Sequence, residues 1–548
     1  MRPAARWTPG TLALLGGLAL FFAVFLVYPV GFILREAFLA DGRFTLRHFA
    51  LLISSPSSLQ AMLNSFAIAG LTTLLTTLLT LPLAHLLTRY QFRGQTLLNG
   101  LLLIPMVMPP FVGAIGLRQI LARYGSLNLA LIDLGWMDPA NPVDWLGGGG
   151  FWGVVILQVL SLYPVMLLNV SAALASVDPT LREAAQNLGA TPARLFRTIT
   201  LPLIIPGWFA GAVVVFIWAF TDLGTPLIFG LSTVVPVQIF DSLTELNTNP
   251  LGYAQVVSVV VLTLGLFLIS KRAVSSRTHA MVTRGHTAGA FTPASPSRTL
   301  AIWAVGAAVV TVSLLPHAGV ILQSLAGRWF FTVLPSDWTA ANYAELAQQP
   351  LVGLSIRNSL LYSSLSAGLD LVLGVAIAWL LTRRRLPFAG LLDALAMLPL
   401  ALPGLVIAFG YVAAFDFDLD WLNPRQNPTL LLVISYAVRR LPYLVRSAVA
   451  GFQQTSLTLE EASASLGASP WRTLRRITLP LIAAHLVAGT ILTFSLAMLE
   501  VSDGLILAMN EKFYPITKMI WLLMGRIDPN AAAVASALGV VGMAILAS

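Results

Sequence analysis

The stretch EAAQNLGATPARLFRTITLP occupies positions 183–202, and a closely similar stretch, EASASLGASPWRTLRRITLP, occupies positions 461–480. The offset is constant along both, because 461 less 183 and 480 less 202 each give 278. A polar motif that occurs once in each half of an apolar chain indicates two equivalent docking points for one symmetric partner. We call residues 178–202 the first EAA loop and residues 456–480 the second EAA loop.

The remainder of the chain is strongly apolar. Hydrophobic residues make up 57% of it and charged residues 10%, whereas soluble domains carry roughly 25% charged residues. A spanning helix needs about 20 mainly apolar residues, and these stretches do not alternate as the strands of a membrane barrel do. We therefore predict an all-α polytopic membrane protein with about twelve transmembrane helices, at 11–33, 61–87, 97–120, 151–174, 206–230, 253–270, 301–324, 356–381, 391–415, 428–450, 482–507 and 530–548.

Composition also excludes several classes of function. The chain has no cysteine, so disulfides, thiolate catalysis and cysteine-based metal sites are excluded. No group of His, Asp and Glu has metal-ligand spacing, and no metal site is predicted. The chain has a net charge of +9, but its basic residues do not form a patch that is interleaved with aromatic residues. Nucleic-acid binding is therefore not predicted.

The placement of basic residues predicts the orientation, because such residues collect in cytoplasmic loops. If the N-terminus is cytoplasmic, both EAA loops face the cytoplasm, and segment 231–252, which has no Lys or Arg, lies outside. The basic residues that fall on the cytoplasmic side are then Arg2, Arg6, Arg89, Arg93, Arg182, Arg194, Arg197, Lys271, Arg272, Arg277, Arg284, Arg298, Arg383, Arg384, Arg385, Arg472, Arg475 and Arg476.

The two halves match outside the EAA loops as well. Asn64-Ser65 recurs as Asn358-Ser359, and a proline pair at 105 and 109 recurs at 399 and 403, each with an offset of 294. We predict a first half at 1–270, a cytoplasmic linker at 271–298 and a second half at 299–548. Six helices per half is an even number, so the halves run parallel through the membrane. The prolines should kink the third and ninth helices.

Each EAA loop predicts a helix, a tight turn and a second helix. In the first loop, Thr180-x-x-Glu183 fits a capping box, with Asp178-Pro179 as a competing start. Gly189 suits a left-handed helix end, Thr191-Pro192 suits the start of a second helix, and Leu201-Pro202 should end it. The matching positions of the second loop are Thr458-x-x-Glu461, Gly467, Ser469-Pro470 and Leu479-Pro480.

The spacing EAA-x3-G-x9-I-x-L-P resembles the signature of permease subunits of bacterial ABC importers with the type I fold. In that family the loop carries the coupling helix, which sits in a cleft of the ATP-hydrolysing subunit. Ser463 departs from the second alanine, but it is also small. Two motifs in one polypeptide resemble the fused permeases of ferric-iron and thiamine uptake systems. The resemblance implies that the ATPase-coupling residues are Glu183, Ala184, Ala185, Gly189, Glu461, Ala462 and Gly467.

The chain itself is not expected to be an enzyme. A phosphate-binding loop needs Gly-Lys-Ser/Thr, and none of the lysines, at 271, 512 and 518, follows a glycine. The resemblance implies two separate ABC ATPase subunits that hold ATP and Mg²⁺, and an extracytoplasmic substrate-binding protein. It also implies a place in the lipid bilayer of the bacterial inner membrane. No cofactor is expected on this chain.

Ionisable residues within apolar stretches are costly and are candidates for the translocation path. Asp222 matches Glu500 through the offset of 278, and Asp503 follows one turn later. Arg439 and Arg440 lie within the tenth stretch. The alternatives are that the acids lie at a hydrated interface or that acids and arginines pair with each other.

The sequence therefore predicts the membrane subunit of an ATP-driven importer. The resemblance favours ferric iron as the cargo; thiamine, aminoethylphosphonate or a polyamine fit almost as well, and sulfate or a sugar fit less well. A secondary transporter driven by an ion gradient is the alternative class, since it too can have parallel repeats, although it would not need two EAA loops. An ion channel is disfavoured because nothing resembles a selectivity filter.

Overall fold

The computed structural model describes residues 9–40, 42–245, 249–275, 292–384 and 386–547. Several predictions concern residues outside these ranges. They include the N-terminal arginines at positions 2 and 6, most of the linker, the arginines at 277, 284 and 385, and the final residue, Ser548.

Helices account for most of the described chain. The first half contains, in order, α1 (Pro9–Phe22), α2 (Tyr28–Phe38), α3 (Arg47–Ser54), α4 (Pro56–Arg89), α5 (Gln95–Val107), α6 (Pro110–Leu121), α7 (Ser126–Asp133), α8 (Phe151–Ala175), α9 (Pro179–Asn187), α10 (Pro192–Leu195), α11 (Leu201–Thr221), α12 (Gly224–Phe229), α13 (Val235–Ser242) and α14 (Leu251–Ser275). The second half contains α15 (Pro296–Ser324), α16 (Ala341–Gln348), α17 (Pro350–Arg383), α18 (Ala389–Met397), α19 (Gly404–Ala414), α20 (Thr429–Gln454), α21 (Leu457–Ser465), α22 (Pro470–Thr473), α23 (Leu479–Leu481), α24 (Ala483–Met498), α25 (Ser502–Leu507), α26 (Ile516–Met524) and α27 (Ala531–Ala547).

Shorter elements join these helices. Three turns of π-helix lie at Ala23–Val27, Phe196–Thr200 and Leu474–Thr478, and 3-10 turns lie at Gly148–Gly150, Leu243–Glu245, Leu398–Leu400 and Glu511–Phe513. The short strands pair antiparallel as β1 (Leu39–Ala40) with β2 (Arg43–Phe44), parallel as β3 (Tyr90–Gln91) with β4 (Thr292–Pro293), and antiparallel as β5 (Ala326–Arg328) with β6 (Asp337–Trp338).

The predicted helical class is confirmed, and ten of the twelve predicted spans match helices or bent helix pairs with the length and composition of a span. Among the described residues, seven helices are long and apolar enough to cross a membrane, and three bent helix pairs each have the composition of one further span. The short apolar helix α27 and the Arg-containing helix α20 correspond to the two predicted stretches that remain. Together these segments account for all twelve predicted stretches.

The predicted proline kinks are confirmed and are sharp. Helical segments Gln95–Met106 and Pro110–Asp133 meet at 89°, and segments Ala389–Leu400 and Gly404–Ala414 meet at 98°. In both pairs the second proline, Pro109 or Pro403, lies in extended conformation at the N-cap of the next helix. Proline lacks the amide that would continue the first helix, so the chain changes direction at this point.

The described residues form two compact units by their contacts, and each unit draws on both sequence halves. Unit 1 comprises the described parts of Met1–Leu51, Ser242–Val260 and Gln349–Met519. In it, α2 packs on α19, and the hydroxyl of Tyr411 donates to the carbonyl of Phe25 at 2.7 Å. Helix α17 packs along α20 and α24. The boundary of the sequence repeat remains a prediction.

Unit 2 comprises Leu52–Asp241 and the described parts of Val261–Gln348 and Ile520–Ser548. Helix α4 packs on α8 and α11, and α6 packs on α15. The last contact is so close that a Cβ atom on Gly116 would overlap the backbone of α15 near Gly319. Tyr163 donates to the carbonyl of Leu102 at 2.8 Å and so joins α8 to α5.

The repeated Asn-Ser pair has the same structural role in each unit. In unit 2, the Asn64 side-chain amide donates to the carbonyl of Thr233 at 2.8 Å, and the Ser65 hydroxyl accepts from the backbone amide of Val235 at 2.9 Å. In unit 1, Asn358 donates to the carbonyl of Lys512 at 3.0 Å, and Ser359 accepts from the amide of Ile516 at 2.8 Å. The pair therefore ties a long helix to the segment that follows the next EAA loop.

Candidate functional sites

The first helix of each EAA loop begins earlier than the capping-box prediction. Asp178 caps α9 and accepts from the amide of Thr180 at 2.9 Å and from its hydroxyl at 2.8 Å. Ser456 caps α21 and accepts from the amide of Thr458 at 3.3 Å. The capping-box prediction is wrong because side chains two residues earlier satisfy the first amides. Those two hydrogen bonds hold the pKa of Asp178 below its ordinary value.

Both loops turn at a glycine, as predicted. Gly189 has a φ of +78° and Gly467 a φ of +79°, which is the left-handed conformation that glycine adopts without strain. After each glycine, the next amide bonds back to the first helix: Ala190 donates to the carbonyl of Ala185 at 3.0 Å, and Ala468 donates to that of Ser463 at 3.1 Å. This is the closed end of a helix with a left-handed cap.

The second helix of each loop starts as predicted, but in the first loop it does not end as predicted. Thr191 and Ser469 cap α10 and α22. The prediction that Leu201-Pro202 ends the helix is wrong, since residues 192–221 form one continuous helical segment. A π-helical turn at Phe196–Thr200 precedes the proline, and its wider hydrogen-bond spacing accommodates a residue that has no amide to donate.

The second loop differs from the first at the corresponding proline. The helix continues through Pro480 and bends by 75° between segments Pro470–Leu481 and Ala483–Met498. The first of these segments ends at Leu481, one residue after Pro480 and so close to the predicted end of the loop's second helix. The first loop is thus joined rigidly to the span that follows it, and the second is joined through a bend.

Most of the motif side chains are solvent-exposed on both loops. Glu183 and Ala184 are exposed, and so are Glu461 and Ala462 at the matching positions. Leu188 and Leu466, which directly precede the glycines, are each 89% exposed. Each loop therefore presents a leucine side chain to solvent beside its glycine.

The third motif position faces inward in both loops. Ala185 and Ser463 are both buried. The Ser463 hydroxyl bonds to that of Thr473 at 2.9 Å, and the residue that matches Thr473 in the first loop is the buried Leu195. The second loop therefore has two polar residues, Ser463 and Thr473, where the first loop has Ala185 and Leu195. Because the two hydroxyls bond to each other, both buried polar groups have a hydrogen-bond partner.

A buried ion pair braces the second EAA loop. Arg383, the last residue of α17, donates from Nε to Oε1 of Glu460 at 2.9 Å, and from Nη2 to the carbonyls of Phe452 and Thr455 at 3.0 and 3.2 Å. The Thr478 hydroxyl donates to the same Glu460 oxygen at 3.2 Å. The guanidinium thus joins the end of α17 to the C-terminal end of α20 and to the first turn of α21, the loop's first helix.

Four of the five path candidates come together in unit 1. The carboxylate of Glu500 contacts the guanidinium groups of both Arg439 and Arg440. Asp503 lies 3.5 Å from Arg439 and accepts from the hydroxyl of Ser435 at 2.7 Å. We call these two arginines and two acids the charge cluster. Its formal charges cancel, and only Arg439, at 26% side-chain exposure, is appreciably accessible.

The fifth candidate, Asp222, lies in unit 2 with neutral partners. Its Oδ1 accepts from the amide of Gly224 at 3.1 Å, and its Oδ2 accepts from the side chain of Gln158 at 3.3 Å. Its repeat mate, Glu500, likewise accepts from the amide of Asp503 at 3.3 Å. Both acids therefore cap the short helix that follows their span, which is α12 or α25.

One buried acid escaped the sequence analysis. Asp370 lies within α17 and is fully buried, and neither of its carboxylate oxygens has a hydrogen-bond partner among the described residues. The rule that singled out Asp222, an ionisable group inside an apolar stretch, would have found it. The Arg383–Glu460 brace was also missed, because it joins residues that are 77 positions apart.

Comparisons with known proteins agree with these features. The sequence profile of the family described as "Binding-protein-dependent transport system inner membrane component" matches residues 77–279 and 371–548. Each matched range contains one EAA loop.

Named relatives carry iron-transport descriptions. The "Putative ferric transport system permease protein FbpB 1" of Haemophilus influenzae is 28% identical over 492 residues, which is 87% of this chain and 75% of the relative. The "Ferric transport system permease protein FbpB" of Actinobacillus pleuropneumoniae is 27% identical over 493 residues, which is 87% of this chain and 69% of the relative.

Among solved structures, a bacterial ABC transporter involved in the import of the acidic polysaccharide alginate has a chain that is 19% identical to this one. The match covers 49% of this chain and 95% of that chain, with a TM-score of 0.39.

Proposed function

The chain belongs to the family of binding-protein-dependent transport system inner membrane components, and from this membership we propose that it forms the translocation path of an importer driven by a separate ATPase. As a multi-pass permease related to ferric transport permeases, it fits the ABC class and not an ion-gradient-driven secondary transporter. The observation that carries the proposal is the pair of exposed EAA loops with matched backbone geometry.

Each EAA loop is proposed to dock on one ATPase subunit, so that two subunits bind one chain. The docking face consists of the exposed residues Glu183, Ala184, Leu188 and Gly189 in the first loop. The same positions of the second loop carry Glu461, Ala462, Leu466 and Gly467. Ala185 is buried and holds the loop's inner face. This assignment requires both loops, and with them the N-terminus, to be cytoplasmic.

Movement of a docked loop would reach the membrane through the helix that follows it. Residues 192–221 form one helical segment from the first loop to the residue before Asp222. Closure of the ATPase dimer around ATP and Mg²⁺ would displace both loops together, and hydrolysis would release them. Rocking of one half against the other then alternates access to the path. The ATP chemistry lies wholly on the partner.

The path candidates separate into two kinds. Arg440, Glu500 and Asp503 are buried, and Arg440 is paired with Glu500, which favours a structural role in holding α20 to the end of α24. Arg439 and Asp222 are more accessible, and we propose these two as the members of the set that face the path.

Ferric iron is the proposed cargo, delivered by an extracytoplasmic substrate-binding protein. The support is the description of the relatives as ferric transport permeases; thiamine, aminoethylphosphonate and polyamines remain the alternatives. A titration of the purified binding protein with each compound tests the cargo. We expect the binding protein to bind ferric iron and not to bind thiamine, aminoethylphosphonate or a polyamine. Tight binding of one of these three compounds would reassign the cargo.

Reconstitution tests the machine itself. The chain, placed in proteoliposomes with its ATPase subunit inside and loaded binding protein outside, should accumulate cargo only with internal ATP. Leu188→Glu together with Leu466→Glu should abolish uptake, because it puts charge on both docking faces. Leu134→Glu is the matched control, since Leu134 is 61% exposed but belongs to neither loop. Equal uptake without ATPase or ATP would contradict the proposal.

A further inference from the structure

A cavity of about 400 Å³ lies between the C-terminal end of α4 and the first EAA loop. Leu81, Pro82, His85 and Arg89 line it from α4, and Gln186 and Phe196 are among the residues that line it from the loop. This volume lies within the range of small-molecule sites, roughly 300–1,000 Å³. The proposed function gives this cavity no role.

The cavity carries positive charge on an apolar wall. Its ionisable lining residues are Arg89 and His85, and none of the lining residues that the structure describes is acidic. The His85 ring packs edge-on against the Phe196 ring with centroids 5.7 Å apart. On the α4 side of the wall, Leu81 and Pro82 lie on the membrane side of His85 and Arg89. The loop adds apolar lining from Pro192, Ala193, Leu195 and Phe196. This lining suits an anion attached to an apolar body.

Arg89 has unused hydrogen-bonding capacity. Its guanidinium lies over the ring of Tyr90, 5.6 Å from the centroid, and its buried Nε has no hydrogen-bond partner among the described residues. A buried donor without an acceptor is costly, and native structures rarely leave one unpaired. An acceptor from outside the chain would satisfy it.

At the second EAA loop, the arginine that corresponds to Arg89 is paired with an acid of the loop. Arg383 matches Arg89 through the offset of 294, and it is paired with Glu460 of its loop. Through the offset of 278, the residue that matches Glu460 in the first loop is Arg182. The first loop therefore replaces the partner acid of this arginine with a base, and the sequence provides no carboxylate at that position.

We propose that the cavity binds the phosphate of an anionic amphiphile, a phospholipid headgroup, which takes at the first EAA loop the place that Glu460 holds at the second. Arginine matches phosphate geometry well, and basic pockets at the ends of transmembrane helices recognise anionic headgroups. The apolar wall of Leu81 and Pro82 would contact the start of the acyl chains. A soluble phosphate compound is the other source of the same chemistry.

Lipid titration of the delipidated full chain in neutral detergent, followed by native mass spectrometry, tests this site. Arg89→Gln should weaken the tightest phosphatidylglycerol binding about fivefold, the effect of one basic residue at an anionic headgroup. Gln186→Glu should weaken it as well, because it adds a repelling charge to the lining. Arg93→Gln is the matched control, since Arg93 is exposed near the same helix end and does not line the cavity.

Further arms distinguish the source of the phosphate. Phosphatidylcholine should bind more weakly and without dependence on Arg89. Inorganic phosphate could raise the thermal unfolding midpoint of the wild type and not of Arg89→Gln, while both proteins bind phosphatidylglycerol equally. In that case the site binds the anion of a soluble ligand, and the lipid assignment fails. Equal phosphatidylglycerol binding by the wild type and Arg89→Gln with no phosphate effect, or equal losses in Arg89→Gln and Arg93→Gln, would overturn the site altogether.

Discussion

The Nε of Arg383 donates to Oε1 of Glu460 at 2.9 Å, and this bond joins the end of a long span to the second EAA loop. Both side chains are largely buried, at 9% and 17% exposure. Hydrogen bonds between charged groups of this kind contribute more to stability than exposed ion pairs do. The brace therefore fixes the position of the loop that we propose receives force from an ATPase.

Removing the brace should destabilise unit 1. Glu460→Gln should lower the free energy of unfolding in mixed micelles by about 2 kcal/mol, as expected for a hydrogen bond to a charged group. The double variant with Arg383→Gln should lose less than the sum of the single losses, because both changes remove one interaction. Arg475→Gln, on an exposed arginine of the same loop, serves as the control. Additive losses in the double variant would contradict the pairing.

The loop glycines should tolerate substitutions according to backbone preference. No atom lies within 4 Å of a Cβ built on Gly189 or Gly467, so the cost of a substitution within this chain is conformational, about 1–2 kcal/mol for a residue forced into the left-handed region. Gly189→Val should loosen the loop and reduce ATPase binding, while Gly189→Asn should retain more of it, since asparagine tolerates that region. Titration of detergent-solubilised variants with the ATPase subunit measures this. The opposite order of affinity would show that side-chain size controls docking.

Neutralising one member of the charge cluster should be costly. Glu500→Gln leaves the buried guanidinium of Arg440 and the partly exposed one of Arg439 short of a counter-charge, and should destabilise the chain by about 3–5 kcal/mol. The double variant Glu500→Gln/Arg440→Gln should recover part of that loss, because it restores the balance of charge. Asp222→Asn should cost less than Glu500→Gln, since Asp222 has neutral hydrogen-bond partners. Unfolding midpoints measure all three, and a double variant less stable than Glu500→Gln would contradict the charge-balance account.

The first EAA loop should lose local stability in acid. Hydrogen bonds from Thr180 depress the pKa of the Asp178 cap below the ordinary 3.8. A carboxyl with a depressed pKa stabilises the fold above its ordinary pKa, and that contribution is lost as pH falls through the lowered value. Hydrogen-exchange protection of α9, corrected for the intrinsic rate, should therefore fall in this acid range. In the variant Asp178→Ser, protection of α9 should not fall in this range, because serine caps a helix without titrating, as Ser456 does at α21. Equal losses in the wild type and in Asp178→Ser would contradict the cap assignment.

The spans and the loops were predictable from sequence for clear physical reasons. A membrane span can be recognised in a sequence by its length and apolar composition. A left-handed turn before Thr191-Pro192 or Ser469-Pro470 requires glycine. Helix ends were less predictable, because Thr180 and Asp178 both offer a capping oxygen and only the fold selects one. The helix through Pro202 also required a π-helical turn that no sequence pattern indicated.

The grouping of helices into units could not be read from the sequence. Helices that are apolar on all sides do not reveal which face meets a neighbour, so nothing in α19 predicts that it packs on α2. The charge cluster shows the same limit. The sequence supplied Arg439, Arg440, Glu500 and Asp503 as separate intramembrane charges, and pairing was only one of the alternatives. Only the fold brings 439–440 and 500–503 together.

Cross-linking tests the central claim most directly, because the natural chain has no cysteine and single cysteines can be placed without background. In the assembled transporter, Leu188→Cys and Leu466→Cys should each cross-link to a cysteine in the cleft of an ATPase subunit, and ATP should change the yield at both positions. If neither position cross-links and both react with an impermeant thiol reagent from outside sealed cells, the EAA loops are not the sites of force transfer.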